Sequence, residues 1–236
     1  MSRGASDAPR APFAGFADAN GRFFRALAKN QNREWFLAHK HEYEAGWLEP
    51  MQALLDDVRV KAARVLPYEL GEPKVFRIFR DVRFARDKSP YKTHVAGYLP
   101  FAGPRGRVPG PVALYLHLGT DTYVGAGQWM MEPPQLERYR AALLDEKRGK
   151  EIVKLLAKLE KEGFVAGSHD TLKKVPRGVD PAHPRAALLK RKGLVVEYPP
   201  LDKQLIVSAA LVDWLVKHTK RAAPVVAWLA RVGGEG

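Results

Sequence analysis

The chain has 236 residues, with 39 Lys and Arg against 26 Asp and Glu, no cysteine and 46% hydrophobic residues. A chain of this length buries roughly 70% of its extended-chain surface on folding, so it needs neither disulfides nor a structural metal to be stable. The lack of cysteine excludes disulfides, thiolate zinc sites, iron–sulfur clusters and a cysteine nucleophile. The formal net charge of +13 indicates an anionic partner, although the charge is divided almost evenly, with +7 in residues 1–118 and +6 in the rest.

Residues 1–12 are small, polar and contain proline, which predicts a disordered tail ahead of one domain over residues 13–236. This start lacks the apolar stretch of a signal peptide. Nowhere does the chain approach about 18 consecutive apolar residues, so we expect no membrane span. We therefore predict a cytoplasmic protein, and the richness in Ala and Arg is typical of a bacterial coding sequence of high GC content.

The first third of the chain shows helical spacing of its apolar residues. Asp18 or Asn20 can cap a first helix, and Asn32 can cap a second. Pro50 suits the first turn of a third helix, where the missing N–H of proline would be unpaired in any case. These signals predict a group of N-terminal helices.

Residues 74–126 are rich in β-branched and aromatic residues, which favour strands. The runs 95–101 and 112–118 predict two strands, and residues 119–122 have the composition of a hairpin turn into another. The connections are too short for helical crossovers, so we expect this sheet to be antiparallel.

Helical patterns return after Trp129. We expect two helices between Pro133 and Gly163, separated by a charged break at residues 145–150. A short helix over 185–191 and a strand over 194–198 follow. We then expect a helix after Ser208 and a last turn or two from Pro224. The whole pattern predicts an α+β fold, with a mostly antiparallel sheet over residues 74–126 plus 194–198 packed against N-terminal and C-terminal helices.

The segment of residues 74–92 carries a net charge of +5 in nineteen positions. If a strand runs from Phe76 to Phe84, Arg80 shares its apolar face with Ile78 and Val82 and needs a carboxylate or an anion as a partner. The opposite face then carries Arg77, Asp81 and Arg83, of which Asp81 and Arg83 are close enough for partial pairing. The alternatives are a solvated strand edge and a structural salt-bridge network.

The same segment resembles a known family signature. Residues 76–84 read FRIFRDVRF and residues 87–94 read DKSPYKTH, and together they closely resemble the signature of a bacterial family called domain of unknown function 2461. The stretches 32–36, 125–129 and 173–178 are similar to the same family, so the resemblance covers about residues 13–232. Because this family has no assigned activity, cofactor or catalytic residue, the resemblance implies no functional role for any position.

Alternation along the later strands predicts one aliphatic and one polar face of the sheet. His94, Tyr98, Tyr115 and His117 fall on the polar face, with Arg77, Asp81 and Arg83 beside them if the registers agree. Arginine forks, phenols and imidazoles are the groups that bind a small anion. An ordinary half-exposed sheet face is the alternative, since Tyr and His are commonly half-buried.

Residues 87–92 form an extended segment followed by a turn, because Pro90 disfavours helical geometry at Ser89. Lys88, Ser89 and Lys92 are candidate phosphate ligands there. A plain Ser-Pro turn is the alternative.

Known catalytic signatures do not occur. The chain has no Walker loop, no nucleophile elbow and no His-Glu-x-x-His. His94 and His117 could form a two-His-one-carboxylate site with Asp81, but only if three strands align. We therefore predict no metal and no cofactor.

Three function classes remain. The first is a protein that binds a small anionic or phosphorylated ligand. If it also acts on that ligand, Asp81 or His94 is the candidate general base and Arg80 or Arg83 the charge stabiliser. Whether such a protein is an enzyme stays open.

The second class is sequence-independent nucleic-acid binding, with bases stacking on Phe79, Tyr91 or Trp129. No helix-turn-helix or RNA-binding aromatic signature supports it. The third class is a protein-interaction or structural domain, in which the charged segment only holds the sheet and loops together.

Overall fold

The computed structural model describes residues 10–83, 86–101 and 112–233. Its N-terminal part comprises α1 (Arg22–Lys29), α2 (Arg33–Ala38), α3 (Lys40–Tyr43), a π-helical turn over Glu44–Leu48 and α4 (Glu49–Ala62). The predicted cap at Asn32 is confirmed, since its side chain accepts the backbone N–H of Trp35 at 2.9 Å. The cap predicted at Asp18 or Asn20 is wrong, because α1 begins after Gly21, although the Asp18 carboxylate accepts the backbone N–H of Arg22 at 3.1 Å. Pro50 lies in the first turn of α4, as expected.

The described residues form a sheet of six antiparallel strands: β1 (Lys74–Val75), β2 (His94–Pro100), β3 (Val112–Gly119), β4 (Thr122–Gln128), β5 (Val165–Gly167) and β6 (Leu194–Glu197). Their order in the sheet is β1-β2-β3-β4-β6-β5. The short strand β5 has no counterpart among the sequence predictions. The predicted α+β class with an antiparallel sheet is confirmed.

The C-terminal part contains α5 (Pro133–Leu144), α6 (Glu146–Lys161), α7 (Ala186–Leu189), α8 (Lys203–Ile206) and α9 (Ala210–Gly233). The charged break predicted at residues 145–150 is confined to Asp145, because α6 already begins at Glu146. The Asp145 carboxylate accepts the backbone N–H of Arg148 at 2.8 Å and caps α6. The turn predicted to begin at Pro224 is wrong, because α9 runs through this proline without interruption.

The aliphatic sheet face is covered by helices. Leu114 and Leu116 of β3 are fully buried, α4 packs against β2, and α9 packs against β3 and β4. The buried apolar residues form one continuous cluster from the N-terminal helices through the sheet to α9. This layering leaves the other sheet face free to carry polar groups.

The strand predicted from Phe76 to Phe84 is wrong. β1 ends at Val75, and beyond it only an isolated bridge pairs Phe79 with Tyr91. Phe84 itself lies outside the described residues. Beyond Val75 the segment forms local charge pairs, described below, in place of a continuous strand ladder. Arg80 is therefore not on an apolar face: its side chain is 33% exposed and forms an ion pair with Asp87.

Of the tail predicted over residues 1–12, residues 1–9 lie outside the described part of the chain. Arg10 forms an ion pair of 2.9 Å with Asp56 of α4. The single-domain organisation of residues 13–236 stays a prediction. Among the described helices, none is both long enough and apolar enough to cross a membrane.

Candidate functional site

Two histidines lie side by side on the polar face of the sheet. In the β2–β3 ladder His94 lies opposite Gly119 and Ala96 opposite His117, so His94 and His117 are diagonal neighbours on one face. Their rings stack with centroids 4.5 Å apart and an interplanar angle of 21°. Both side chains are only partly covered, with 24% and 15% exposure.

A carboxylate completes this cluster from the hairpin turn between β3 and β4. Asp121 Oδ2 lies 3.1 Å from His117 Nε2, and Asp121 Oδ1 lies 3.9 Å from His94 Nδ1. One nitrogen of each histidine and one oxygen of Asp121 all lie within 4.8 Å of one another. We call these three residues the histidine cluster.

The close approach of the strands at this point depends on Gly119. A Cβ at this position would lie 2.5 Å from His94 Cα and would also overlap the carbonyl oxygen of Thr93. The turn is held by the N–H of Thr120, which donates to the same Thr93 carbonyl at 3.0 Å. Glycine therefore allows β2 to bring His94 against the hairpin.

Tyrosines border the histidine cluster. Tyr115 Oη and His117 Nδ1 are 3.1 Å apart, and the ring of Tyr123 stacks on His117 at 5.8 Å. Burial is the main cause that raises the pKa of Tyr115 and of Tyr123 to about 12. Both phenols are thus neutral hydrogen-bonding groups near neutral pH.

The environment of His94 keeps its imidazole neutral. Its pKa is lowered to about 4, chiefly because partial burial removes water from the ring and then because His117 lies beside it. Asp121 opposes this shift, while Lys92 and Arg80 add to it. As a general base His94 is therefore a weak one, although its free nitrogen remains available near neutral pH.

A pair of cations lies next to this face. Lys92 Nζ donates to the carbonyl oxygen of Arg77 at 2.6 Å and lies 5.4 Å from the ring centre of Phe76. The Phe76 ring in turn contacts Tyr98 and Tyr115 on the sheet face, at 5.4 Å and 6.2 Å between centroids. The phenylalanine thus links the cations to the tyrosines.

These two cations lack a carboxylate partner. Desolvation lowers the pKa of Lys92, and the neighbouring positive charge of Arg77 lowers it further. Among the described residues neither Lys92 nor Arg77 forms an ion pair with a carboxylate. Asp81 is near enough for the charge of Arg77 to lower its pKa, but its ion pair is with Arg83. The repulsion between Arg77 and Lys92 is therefore only partly offset, and an anion between them would be favourable.

A cavity of about 470 Å³ opens beside Arg77, between the N-terminal helices and the segment that follows β1. Its wall includes Arg77 and Phe76 together with Phe36, Lys40 and Tyr43. This volume lies within the usual range for small-molecule pockets. Arg77 therefore has room beside it for the rest of a small ligand.

The charged residues of the loop pair mostly with one another. Arg83 Nη2 donates to Asp81 at 2.6 Å, and Arg80 pairs with Asp87. The Ser89 hydroxyl donates to Asp87 at 2.6 Å. The hydrogen bonds from Ser89 and the contact with Arg80 lower the pKa of Asp87 to about 2.

Lys88 and Asp81 complete this internal network. Lys88 Nζ donates to the carbonyl oxygen of Val82 at 2.9 Å. Hydrogen bonds from Arg83 lower the pKa of Asp81, which makes this carboxylate a poor general base. For this stretch of the loop, the salt-bridge alternative considered from the sequence describes the contacts well.

Two further predicted ligand residues lie apart from the histidine cluster. Tyr91 is only 3% exposed and stacks on Phe36 at 4.5 Å, so its contacts are those of a core residue. Trp129 follows the far end of β4, roughly 26 Å along the strand from Asp121. It is half exposed and stacks on His169 at 4.5 Å.

The carboxylate proposed from the sequence for a site with His94 and His117 is wrong. Asp81 lies in the loop and pairs with Arg83, whereas Asp121 takes that place. Sequence reasoning treated Asp121 only as a turn residue. The predicted hairpin contains the information needed to place Asp121. A two-residue turn after Gly119 brings Asp121 back to the end of the strand that carries His117.

The fold and the site together define a class: an α+β protein whose antiparallel sheet is covered by helices on one face and carries imidazoles, phenols and a carboxylate on the other. Residues 20–228 match the model of a family described as conserved hypothetical protein (DUF2461). The chain belongs to this family, which confirms the resemblance found in residues 76–94. No protein in the curated set matches the chain.

Proposed function

We propose that this protein binds a small anionic ligand, of the phosphate or carboxylate class, beside the polar face of the sheet. The observation that carries the proposal is the pair formed by Arg77 and Lys92, two neighbouring cations without a carboxylate partner among the described residues. An anion between them would remove their mutual repulsion and gain charge-assisted hydrogen bonds.

The surroundings support a ligand of small size. The cavity next to Arg77 is lined largely by aromatic and aliphatic side chains, which suit the apolar part of a small molecule. On the other side, the phenol of Tyr115 and the imidazole of His94 offer neutral hydrogen-bonding groups, and the imidazole of His117 offers a further hydrogen-bonding group. A cytoplasmic location in a bacterium stays a prediction from the sequence.

The predicted ligand residues fall into groups with different proposed roles. Arg77 and Lys92 are proposed as the groups that contact the anion, and Tyr115 and His117 as groups that orient it. Arg80, Arg83, Lys88 and Ser89 are proposed as a network that holds the loop, since each bonds within it.

A ligand screen by thermal shift tests this proposal. The probes are inorganic phosphate, a nucleoside monophosphate and a dicarboxylate, each added to the full chain in the presence of a chelator. A probe at 100 times its dissociation constant should stabilise the protein by about 2.7 kcal/mol. We expect Arg77→Ala and Lys92→Met to abolish this shift, and Lys154→Met, on an exposed lysine of α6, to retain it.

Two results would overturn the proposal. The first is a shift of equal size in wild type, Arg77→Ala and Lys92→Met. The second is no shift with any small anion together with binding of single-stranded DNA whose affinity falls about 10³-fold or more between roughly 50 and 200 mM salt, which would favour nucleic-acid binding.

A further inference from the structure

A second set of side chains, which shares His117 and Tyr115 with the proposed anion site but not its two cations, lies at the end of the β3–β4 hairpin. Two imidazoles and one carboxylate converge there from three positions of the fold: His94 at the start of β2, His117 near the end of β3 and Asp121 in the turn. Imidazole and carboxylate ligands together suit the divalent first-row transition metals, whereas Mg²⁺ and Ca²⁺ prefer oxygen alone. We propose that His94, His117 and Asp121 bind a divalent transition-metal ion of the Zn²⁺ type.

The distances within the histidine cluster are close to those around such an ion. Ligand atoms about 2.0–2.2 Å from a tetrahedral zinc lie roughly 3.3–3.6 Å from one another. Asp121 Oδ2 lies 3.1 Å from His117 Nε2, Asp121 Oδ1 lies 3.9 Å from His94 Nδ1, and one ligand atom from each residue lies within 4.8 Å of the others. Binding would draw the three groups together by side-chain rotation, for which Asp121 has room because it is 67% exposed.

A neighbouring hydroxyl can fix the orientation of one ligand. A histidine that binds a metal through one ring nitrogen commonly donates the N–H of the other nitrogen to an oxygen. Tyr115 Oη lies 3.1 Å from His117 Nδ1, so it can accept that N–H while Nε2 faces Asp121. Tyr115 is thus a positioning residue for the proposed site.

Backbone contacts hold the strands and the turn around the site. Gly119 lets β2 and β3 approach at His94, and the hydrogen bond from Thr120 to Thr93 closes the turn that carries Asp121. Three protein ligands with an exposed carboxylate leave at least one coordination position open to solvent. Such an open arrangement is typical of catalytic rather than purely structural zinc sites.

A hydrogen-bond chain without metal is the competing explanation. The Tyr115 hydroxyl can donate to His117 Nδ1, and His117 Nε2–H can then donate to Asp121. In that case the cluster has no reason to bind a metal more tightly than any exposed histidine does. Binding measurements separate the two explanations directly.

The test is titration of the chelator-stripped full chain with Zn²⁺ alone, followed by calorimetry and by equilibrium dialysis. We expect one Zn²⁺ per chain, with affinity at least tenfold weaker in Asp121→Asn, His117→Ala and His94→Ala. The matched control is His41→Ala, which removes an exposed histidine of α3 and should leave the affinity unchanged. Circular dichroism shows whether each variant folds. If a histidine variant does not fold, Asp121→Asn still tests the site, because Asp121 lies in an exposed turn.

Two further measurements sharpen the assignment. Co²⁺ should give a visible absorption spectrum that Asp121→Asn alters. Tyr115→Phe should weaken Zn²⁺ binding by about tenfold, while Tyr123→Phe, which leaves the ring stack on His117 intact, should not. Absence of stoichiometric binding, or equal loss in His41→Ala and Asp121→Asn, would overturn the metal site. Because the phosphate screen is run with a chelator and on variants of Arg77 and Lys92, the two proposals fail independently.

Discussion

At the scale of single residues, Gly119 is the position on which the geometry of the histidine cluster most depends. A methyl group there would overlap the backbone of Thr93 and His94. We expect Gly119→Ala to lower the free energy of unfolding by about 1–3 kcal/mol, because β2 and β3 must separate to admit it. Urea unfolding measures the change.

The control for this change is Gly167→Ala, where an added Cβ would make only an ordinary contact of 3.8 Å with Val195. Equal stability losses at the two glycines would show that close approach at Gly119 is not the cause.

Single residues also show where sequence reasoning succeeded and failed. Alternation along β3 placed Tyr115 and His117 on the polar face, and the ladder with β2 confirms that register. The strand propensity of the residues around Arg80 predicts a strand through that position, but β1 ends at Val75. Arg80 lies in the loop that follows, where it pairs with Asp87. Asp121 was overlooked because a turn composition explains an aspartate without any function.

At the scale of elements, α9 carries a histidine whose titration should affect stability. Burial is the main cause that lowers the pKa of His218, so the unfolded chain takes up a proton at a higher pH than the folded one. The free energy of unfolding contributed by this group therefore falls as pH drops below about 6.5.

We expect His218→Gln to reduce the loss of stability between about pH 7 and pH 5 relative to wild type. Urea unfolding at the two pH values measures the difference, and His41→Ala serves as the exposed control. An unchanged pH dependence in His218→Gln would contradict the assignment.

Elements also differ in how well local patterns predict them. The cap at Asn32 acts through a contact three residues away and was predicted correctly. Pro224 normally ends a helix, yet α9 continues because buried residues on both sides of it, including Ala223 and Trp228, pack into the core. Tertiary packing, rather than local propensity, thus determines where α9 ends.

At the scale of the whole molecule, stability rests on the single core between the sheet and the helices. Leu114 lies at 0% exposure in the central strand β3, so Leu114→Ala should cost about 2–5 kcal/mol. Leu144→Ala, at a position that is 48% exposed, should cost far less. Chemical denaturation of both variants tests this, and similar losses would contradict the placement of the core.

Much of the overall charge of +13 is spread over the folded protein in cations that have nearby carboxylates. Many cations pair with nearby carboxylates, as Arg231 does with Glu151 and Lys192 with Asp170. Arg77 and Lys92 stand apart because they adjoin each other and lack such a partner among the described residues. Composition predicted an anionic partner, but only the fold indicates where that partner would bind.

The most direct test of that location is the affinity of inorganic phosphate for the full chain, measured by calorimetry in the presence of a chelator. We expect saturable binding to wild type that weakens at least about tenfold in Arg77→Ala and in Lys92→Met, since hydrogen bonds to charged groups contribute about 1.5–3 kcal/mol. The affinity of Lys154→Met should equal that of wild type. The same phosphate affinity in all four proteins would contradict an anion site at Arg77 and Lys92.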